Sequence, residues 1–264
     1  IWRGHVDTTV PNWKSVEGLT ERIRWQVWRE CVVHEFIVKR SELFPISRLM
    51  VHGAVLAGHG DALANGLHRM QPSDWAQEVW SLAAMGLQLQ ELYISTKLMK
   101  PWAWDELAAA LSWARENSDI LEDSHWAVPA ACRSVHQEKK FKPYFIASFG
   151  TSKNLGFLML RNPRAKKQKT PSTTLAAALE LPPQAAGKFV ELKLVRFADI
   201  NDAGSHGSQK PLECNIFRPR ALVSQDGRGC LVPAFESVRV QMTPGALLIL
   251  SARVVTGPSP KLEL

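Results

Sequence analysis

Apolar and polar positions divide this chain into two stretches with different periods. Before residue 126 the pattern is mostly helical. In GLTERIRWQVWRECVVHEF (Gly18–Phe36), Ile23, Val27, Cys31 and Phe36 recur near one face, with Leu19, Trp28 and Val32 beside them; this is the spacing of an amphipathic helix. LFPISRLMVHGAV (Leu43–Val55) reads as a strand after a proline break, delivering His52 and Gly53 at its C-terminal end. SDWAQEVWSLAAMG (Ser73–Gly86) predicts a helix that starts at Ser73, carries acid in its first turn and stops at Gly86. LQLQELYIS (Leu87–Ser95) reads as a strand. KPWAWDELAAALSWARENSDIL (Lys100–Leu121) reads as a helix with Pro101 near its first turn. Helix, strand, helix, strand, helix is the grammar of repeated βα units on a parallel sheet.

The second stretch switches to short β-rich runs: YFIASFG, GFLMLRNP, KFVELKLVRF, SVRVQMTP and ALLILSARVV, divided by glycine, proline, asparagine and basic turns. They predict an antiparallel sandwich of about six to eight strands. TTLAAALELPP (Thr173–Pro183) is open between helix, which its alanines favour, and an extended segment between hairpins. The basic run RNPRAKKQK (Arg161–Lys169) bridges two strand candidates. A solvated hairpin loop is the favoured reading there, ahead of a polyanion site, since the run has no aromatic residue for base stacking.

Charge divides in the same place. Residues 1–126 hold 12 Lys and Arg against 16 Asp and Glu, whereas residues 127–264 hold 20 against 9. All ten tryptophans lie at or before Trp126. The predicted organisation is therefore a first unit over 1–126, a junction over 127–142 and a β-sandwich over 143–264. The 45% hydrophobic and 22% charged content is that of a globular protein, and no apolar run approaches a membrane span. Cys31, Cys132, Cys214 and Cys230 show no CxxC or Cys/His ligand spacing, so neither a zinc site nor any other metal or cofactor is expected. A disulfide between two of the last three cysteines is left open. The chain opens at Ile1 without a charged-then-apolar leader. Two expectations follow: a processed N-terminus, or a start inside a longer polypeptide.

Several stretches carry a resemblance to a known family. WRGHVD (Trp2–Asp7) is similar to the segment after a late barrel strand that holds an acid/base carboxylate. RWQVWRECVVHEFIVKRSELFPISRLMVHG (Arg24–Gly53) is similar to the helix and strand that follow it. LQELYISTKLMKPWAWDELAAALSWARENSDILEDSHW (Leu89–Trp126) is similar to the last strand and helix of the barrel. LMLRNP (Leu158–Pro163) and VQMTPGALLILSA (Val240–Ala252) resemble the β-sandwich behind such barrels. Together they resemble the C-terminal part of TIM-barrel glycoside hydrolases of the α-galactosidase (melibiase) type, families 27 and 36, nearest to a bacterial branch labelled "enterotoxin". The resemblance implies the last βα units of a (β/α)8 barrel followed by an antiparallel β-sandwich. It also implies a retaining hydrolase of α-linked sugars, an oligosaccharide or glycoconjugate substrate, and a secreted or periplasmic location. The chain departs from that family at the junction (Ala127–Gly150), at Pro45-Ile46-Ser47 and in length. A complete barrel takes roughly 250 residues, against the 126 of the first unit, which shows two or three βα units.

Glycoside hydrolysis needs two carboxyl groups flanking the bond, about 5–5.5 Å apart in retaining enzymes. On the resemblance, Asp7 is the proton donor, its pKa raised by apolar walls such as Trp2. The nucleophile follows an earlier barrel strand, for which this chain offers no match, so the chain alone is expected to be inactive. Arg3 would orient sugar hydroxyls or hold a carboxylate; otherwise it is a surface ion-pair residue. His52 would bind a sugar hydroxyl, or be a satisfied core histidine. Glu91 and Tyr93 would reach the barrel mouth from the last strand, unless Glu91 faces an outer helix and Tyr93 the core. Trp102, Trp104 and Trp113 read as packing. Two other classes remain: a non-catalytic carbohydrate-binding sandwich, disfavoured because its half has no Trp and only Tyr144, and a polyanion binder. A nucleic-acid partner is disfavoured, no membrane is expected, and oligomeric state is left open.

Overall fold

The computed structural model describes residues 19–34, 38–40, 45–48, 51, 53–128, 142–199, 212–219 and 221–256. Helix α1 (Glu21–Val32) begins where Thr20 takes an extended conformation and its hydroxyl accepts the Ile23 N–H at 3.2 Å. Next come β1 (Ala54–Leu56), the short α2 (Gly60–Ala64), α3 (Pro72–Ala84), β2 (Leu92–Ile94), α4 (Pro101–Glu116) and α5 (Ser118–Leu121). β1 and β2 pair in parallel, Ala54 opposite Leu92, with α3 in the crossover. This βαβ unit is one piece of the predicted grammar.

The boundaries differ from the sequence reading in ways the local chemistry explains. Within the span expected as a strand, Leu43–Val55, the described residues place strand from Ala54 on, in β1, and Ile46–Arg48 instead form a 3₁₀ turn closed by Arg48 N–H to the Pro45 carbonyl at 3.0 Å. The strand expected over Leu87–Ser95 is three residues long. Helix α3 starts at Pro72 rather than Ser73, because proline suits the first helical position and lacks only a donor that would go unused there. Its stop is as read: Gly86 takes φ +78° just past the last turn. The long helix over Lys100–Leu121 breaks at Asn117, whose side-chain amide donates to the Trp113 carbonyl at 2.8 Å.

The second half adds β3 (His125–Val128), β4 (Tyr144–Gly150), β5 (Leu155–Arg161), β6 (Gln168–Lys169), β7 (Thr173–Thr174), α6 (Leu175–Ala178) and β8 (Phe189–Ala198). It ends with β9 (Phe217–Arg218), β10 (Leu222–Val223), β11 (Gly229–Pro233), β12 (Ser237–Met242) and β13 (Leu247–Val255). Among the described residues a seven-stranded antiparallel sheet runs β10-β11-β8-β13-β5-β4-β3, and a four-stranded sheet places β6, β7 and β9 beside β12. That makes eleven strands rather than six to eight; the additional ones are mostly two to four residues long, too short to show a period. TTLAAALELPP is both of its alternatives in turn: strand β7, then helix α6, which Thr174 caps through Ala177 N–H at 3.0 Å.

Both faces of the large sheet are covered. Phe145, Leu158, Leu160, Leu192, Leu248 and Leu250 point into the sandwich core. From the opposite face Ile146, Phe157, Met159, Leu247 and Ile249 pack with Val79, Leu82, Leu107 and their neighbours on α3 and α4. The architecture is a helix layer over an antiparallel sheet over a second sheet, a mixed α/β fold. β3 straddles residue 126, and the apolar core is continuous across that position. The run Arg161–Lys169 is not a hairpin loop. It carries the chain from β5 in one sheet to β6 in the other, and its first two residues, Arg161 and Asn162, are fully buried. Asn162 holds the crossover by donating to the Lys166 and Thr243 carbonyls at 2.9 and 2.7 Å. Cys214 and Cys230 form a disulfide, Cα–Cα 5.5 Å, and Cys31 is also disulfide-bonded.

Candidate functional site

Of the residues singled out from sequence, Trp2, Arg3, Asp7 and His52 lie outside the described residues. Glu91 is described. It immediately precedes β2, where its carbonyl accepts the Ala54 N–H at 3.2 Å. The approach of the two strands is so close that a Cβ on Gly53 would sit 1.5 Å from that carbonyl oxygen, so only glycine fits. The Glu91 carboxylate accepts the Tyr93 hydroxyl at 2.5 Å, a contact between residues two apart on one strand face. That hydrogen bond, then burial, holds the Tyr93 phenol above its ordinary value. Tyr93 is 46% exposed rather than in the core, next to exposed Leu92 and Leu89. Glu91 stands at the N-terminal end of its strand, whereas barrel enzymes gather their catalytic groups at the C-terminal ends. Trp113 packs against Trp80 and edge-on to Phe157, while Trp104 is half exposed on α4.

The densest chemistry lies elsewhere, in a buried polar seam between α1, α3 and the large sheet. On α1, Arg22, Gln26, Arg29 and Glu30 follow helical spacing and are all buried; on α3, Asp74, Gln77, Glu78 and Ser81 do the same. Arg29 donates to Glu78 at 2.9 Å, to the Ser81 hydroxyl at 3.0 Å and to the Gly53 carbonyl at 3.1 Å. Arg22 lies 3.8 Å from the other Glu78 oxygen. It also donates to the carbonyls of Val55, Leu67 and Arg69 and sits over the Trp75 ring. These two arginines thus anchor the start of β1 and the chain before α3 to α1. On the sheet side, Arg161 forms a two-pronged pair with Glu30 at 2.7 and 3.1 Å and donates to Gln77 at 2.5 Å. The Tyr144 hydroxyl donates to Glu30 as well.

Burial alone would raise the Glu30 carboxyl, but Arg161 and Arg29 beside it bring it below the ordinary value, so it is ionised. Burial and the Glu30 charge push the Tyr144 phenol well up. Asp74 differs: burial dominates over its bond to Thr20 and the nearby Arg22, and its carboxyl is raised to about 6. Glu30 and Glu78 are wholly enclosed and charge-paired, an arrangement that positions elements rather than meeting a substrate. Among the described residues no group of three or more His, Cys, Asp or Glu side chains is placed to hold a metal ion, and no helix is long and apolar enough to cross a membrane. The seam went unread in the sequence, although Arg22, Gln26, Arg29 and Glu30 carry its signal in their helical spacing.

No protein-family model matches the chain, and no curated protein matches its sequence. Among solved structures it is similar to an alpha-amylase from Geobacillus thermoleovorans complexed with acarbose, at 11% identity over 73% of this chain and 35% of the other, TM-score 0.40. An Anoxybacillus alpha-amylase described as a new glycosyl hydrolase subclass shares 11% identity over 84% and 42%, TM-score 0.41. AmyP in complex with maltose shares 10% identity over 91% and 50%, TM-score 0.43. The chain spans about a third to a half of the length of these structures.

Proposed function

We propose that the chain is part of a glycoside hydrolase acting on α-linked sugars, of the α-galactosidase type and retaining, with Asp7 as its proton donor. The observation that carries this reading is the order of parts. A parallel β1–α3–β2 unit is followed by α4 and then by an antiparallel sandwich, the order that the resembling segments imply. Asp7 would protonate the leaving oxygen, and Trp2 would supply the apolar wall that keeps its carboxyl protonated at neutral pH. Arg3 and His52 would hold sugar hydroxyls. The attacking carboxylate has no counterpart in this chain's matching segments, so the chain by itself binds sugar without turning it over.

Tryptophan fluorescence during titration with methyl α-galactoside and with maltotriose tests the reading. Saturable quenching by one of them is expected, with affinity about tenfold weaker in Arg3→Ala, the loss of one charged hydrogen bond. Lack of saturable binding by both sugars overturns it. Nitrophenyl α-galactoside should not be cleaved by the chain alone, and measurable turnover that Asp7→Asn abolishes would overturn that expectation.

A further inference from the structure

The four-stranded sheet has a solvent face that the sugar-cleaving reading does not use. β12 alternates: Val238, Val240 and Met242 are buried in the sandwich, so Ser237, Arg239 and Gln241 form the outward row. Its neighbours add cations to that row. β9 sets exposed Arg218 directly opposite exposed Arg239, and β6 sets exposed Lys169 directly opposite Gln241. Directly opposed residues in an antiparallel pair stand roughly 4.5–5.5 Å apart at Cα, and the next outward position is only about 7 Å further along the strand. The crossover from the large sheet brings exposed Lys166 and Lys167 in just before β6.

Like charges directly opposite one another destabilise a sheet, and here nothing described offsets them. Some exposed cations elsewhere are neutralised, Lys153 by Asp119, Lys193 by Asp226 and Arg48 by Glu122, and those that are not, such as Lys188 and Arg253, do not stand opposite another cation across a strand pair. Among the described residues, Arg218, Arg239 and Lys169 have no ion pair. The Arg218 guanidinium turns back onto the Asn215 and Phe217 carbonyls instead.

We propose that this face binds an acidic polysaccharide, a glycan whose repeated sulfate or uronate groups meet the three cations at sheet spacing. Ser237 and Gln241 in the same row offer partners to sugar hydroxyls. A nucleic acid fits less well: none of the outward positions on the four strands is aromatic, Phe217 being buried, so bases have no stacking platform within the row, the exposed Phe235 standing before β12, and a sheet of two- to six-residue strands presents no helix to a groove. The inference stands independently of the glycosidase reading, since it uses neither Asp7 nor Glu91.

The test is binding of the full chain to heparin as a function of salt. Retention at about 0.15 M salt is expected. The triple variant Lys169→Gln, Arg218→Gln, Arg239→Gln should bind at least about tenfold more weakly, with a shallower dependence of log affinity on log salt. A control pair at the other sheet, Lys188→Gln just before β8 with Arg253→Gln on β13, should bind as the parent does. Arg239→Gln alone, expected to melt no lower than the parent because a like-charge pair is relieved, should already weaken binding several-fold and serves if the triple variant does not fold. A parent chain that is not retained, a triple variant that binds like the parent, or an oligonucleotide bound more tightly than heparin through these residues would each overturn the proposal.

Discussion

Asp74 carries a carboxyl whose ionisation the fold resists. Its pKa is about 6 in the folded chain against 3.8 for an ordinary aspartate, so the folded state takes up the proton more readily than the unfolded state. The sign follows: the contribution of Asp74 to stability is greatest below about pH 4, falls as pH rises through the window from 4 to 6, and stays lower above it. The shift corresponds to on the order of 3 kcal/mol. Asp74→Asn, which cannot ionise, should flatten that window and raise stability at pH 7, as urea unfolding at a series of pH values would show. Glu30 works in the opposite sense. Its lowered pKa contributes stability above the ordinary carboxylate range, and that contribution is lost as pH falls through the folded value. Gly53 is the other decisive single residue. Gly53→Ala drives a methyl into the Glu91 carbonyl, so the parallel strands must part. A loss of about 3 kcal/mol or more is expected in chemical denaturation, and a wild-type midpoint would show that the strands can shift cheaply.

At the scale of elements, α1 is held by charge as much as by apolar contact. Ile23, Val27 and Cys31 are buried as its spacing predicts, yet Arg22, Gln26, Arg29 and Glu30 are buried too, facing α3 and the sheet. Removing one partner strands the other: Arg161→Met should cost about 3–5 kcal/mol because it leaves Glu30 charged and enclosed. Adding Glu30→Leu should recover much of that loss, since burying no charge is easier than burying one. A double-mutant cycle by thermal unfolding measures the coupling; additive losses would mean the pair contributes nothing as a pair. This seam is the part of the structure least legible in the sequence. Arg161 sits at the head of a basic run, where a solvated loop is the ordinary expectation, and nothing local distinguishes it from Lys166 or Lys167. Its burial depends on Glu30, 131 residues away.

The described residues form three layers, with the large sheet covered by α3 and α4 on one side and by the small sheet on the other. A fragment beginning at residue 142 would leave Ile146, Phe157, Met159, Leu247 and Ile249 facing water. It should therefore aggregate or bind a hydrophobic dye, whereas the longer chain should unfold in a single transition. A monomeric fragment with the parent's melting temperature would show that the helix layer is dispensable. The strand runs YFIASF and GFLML are apolar at nearly every position because both of their faces are buried, which explains why they were legible while the two-residue strands were not.

Local pattern by itself determined which segments become α1, α3, α4 and the long strands, because helix and strand periods, proline at a first turn and glycine after a last one act within a few residues. It also marked Trp2, Arg3, Asp7, His52 and Glu91 as candidates through a resemblance. Only the tertiary structure decided that Arg161 is enclosed, that the helices and the sandwich share one core across residue 126, and that Arg218 faces Arg239. Each of these depends on the register or packing of residues far apart in the chain. No local period encodes such distances; they are set by which buried surfaces and charges can be satisfied together.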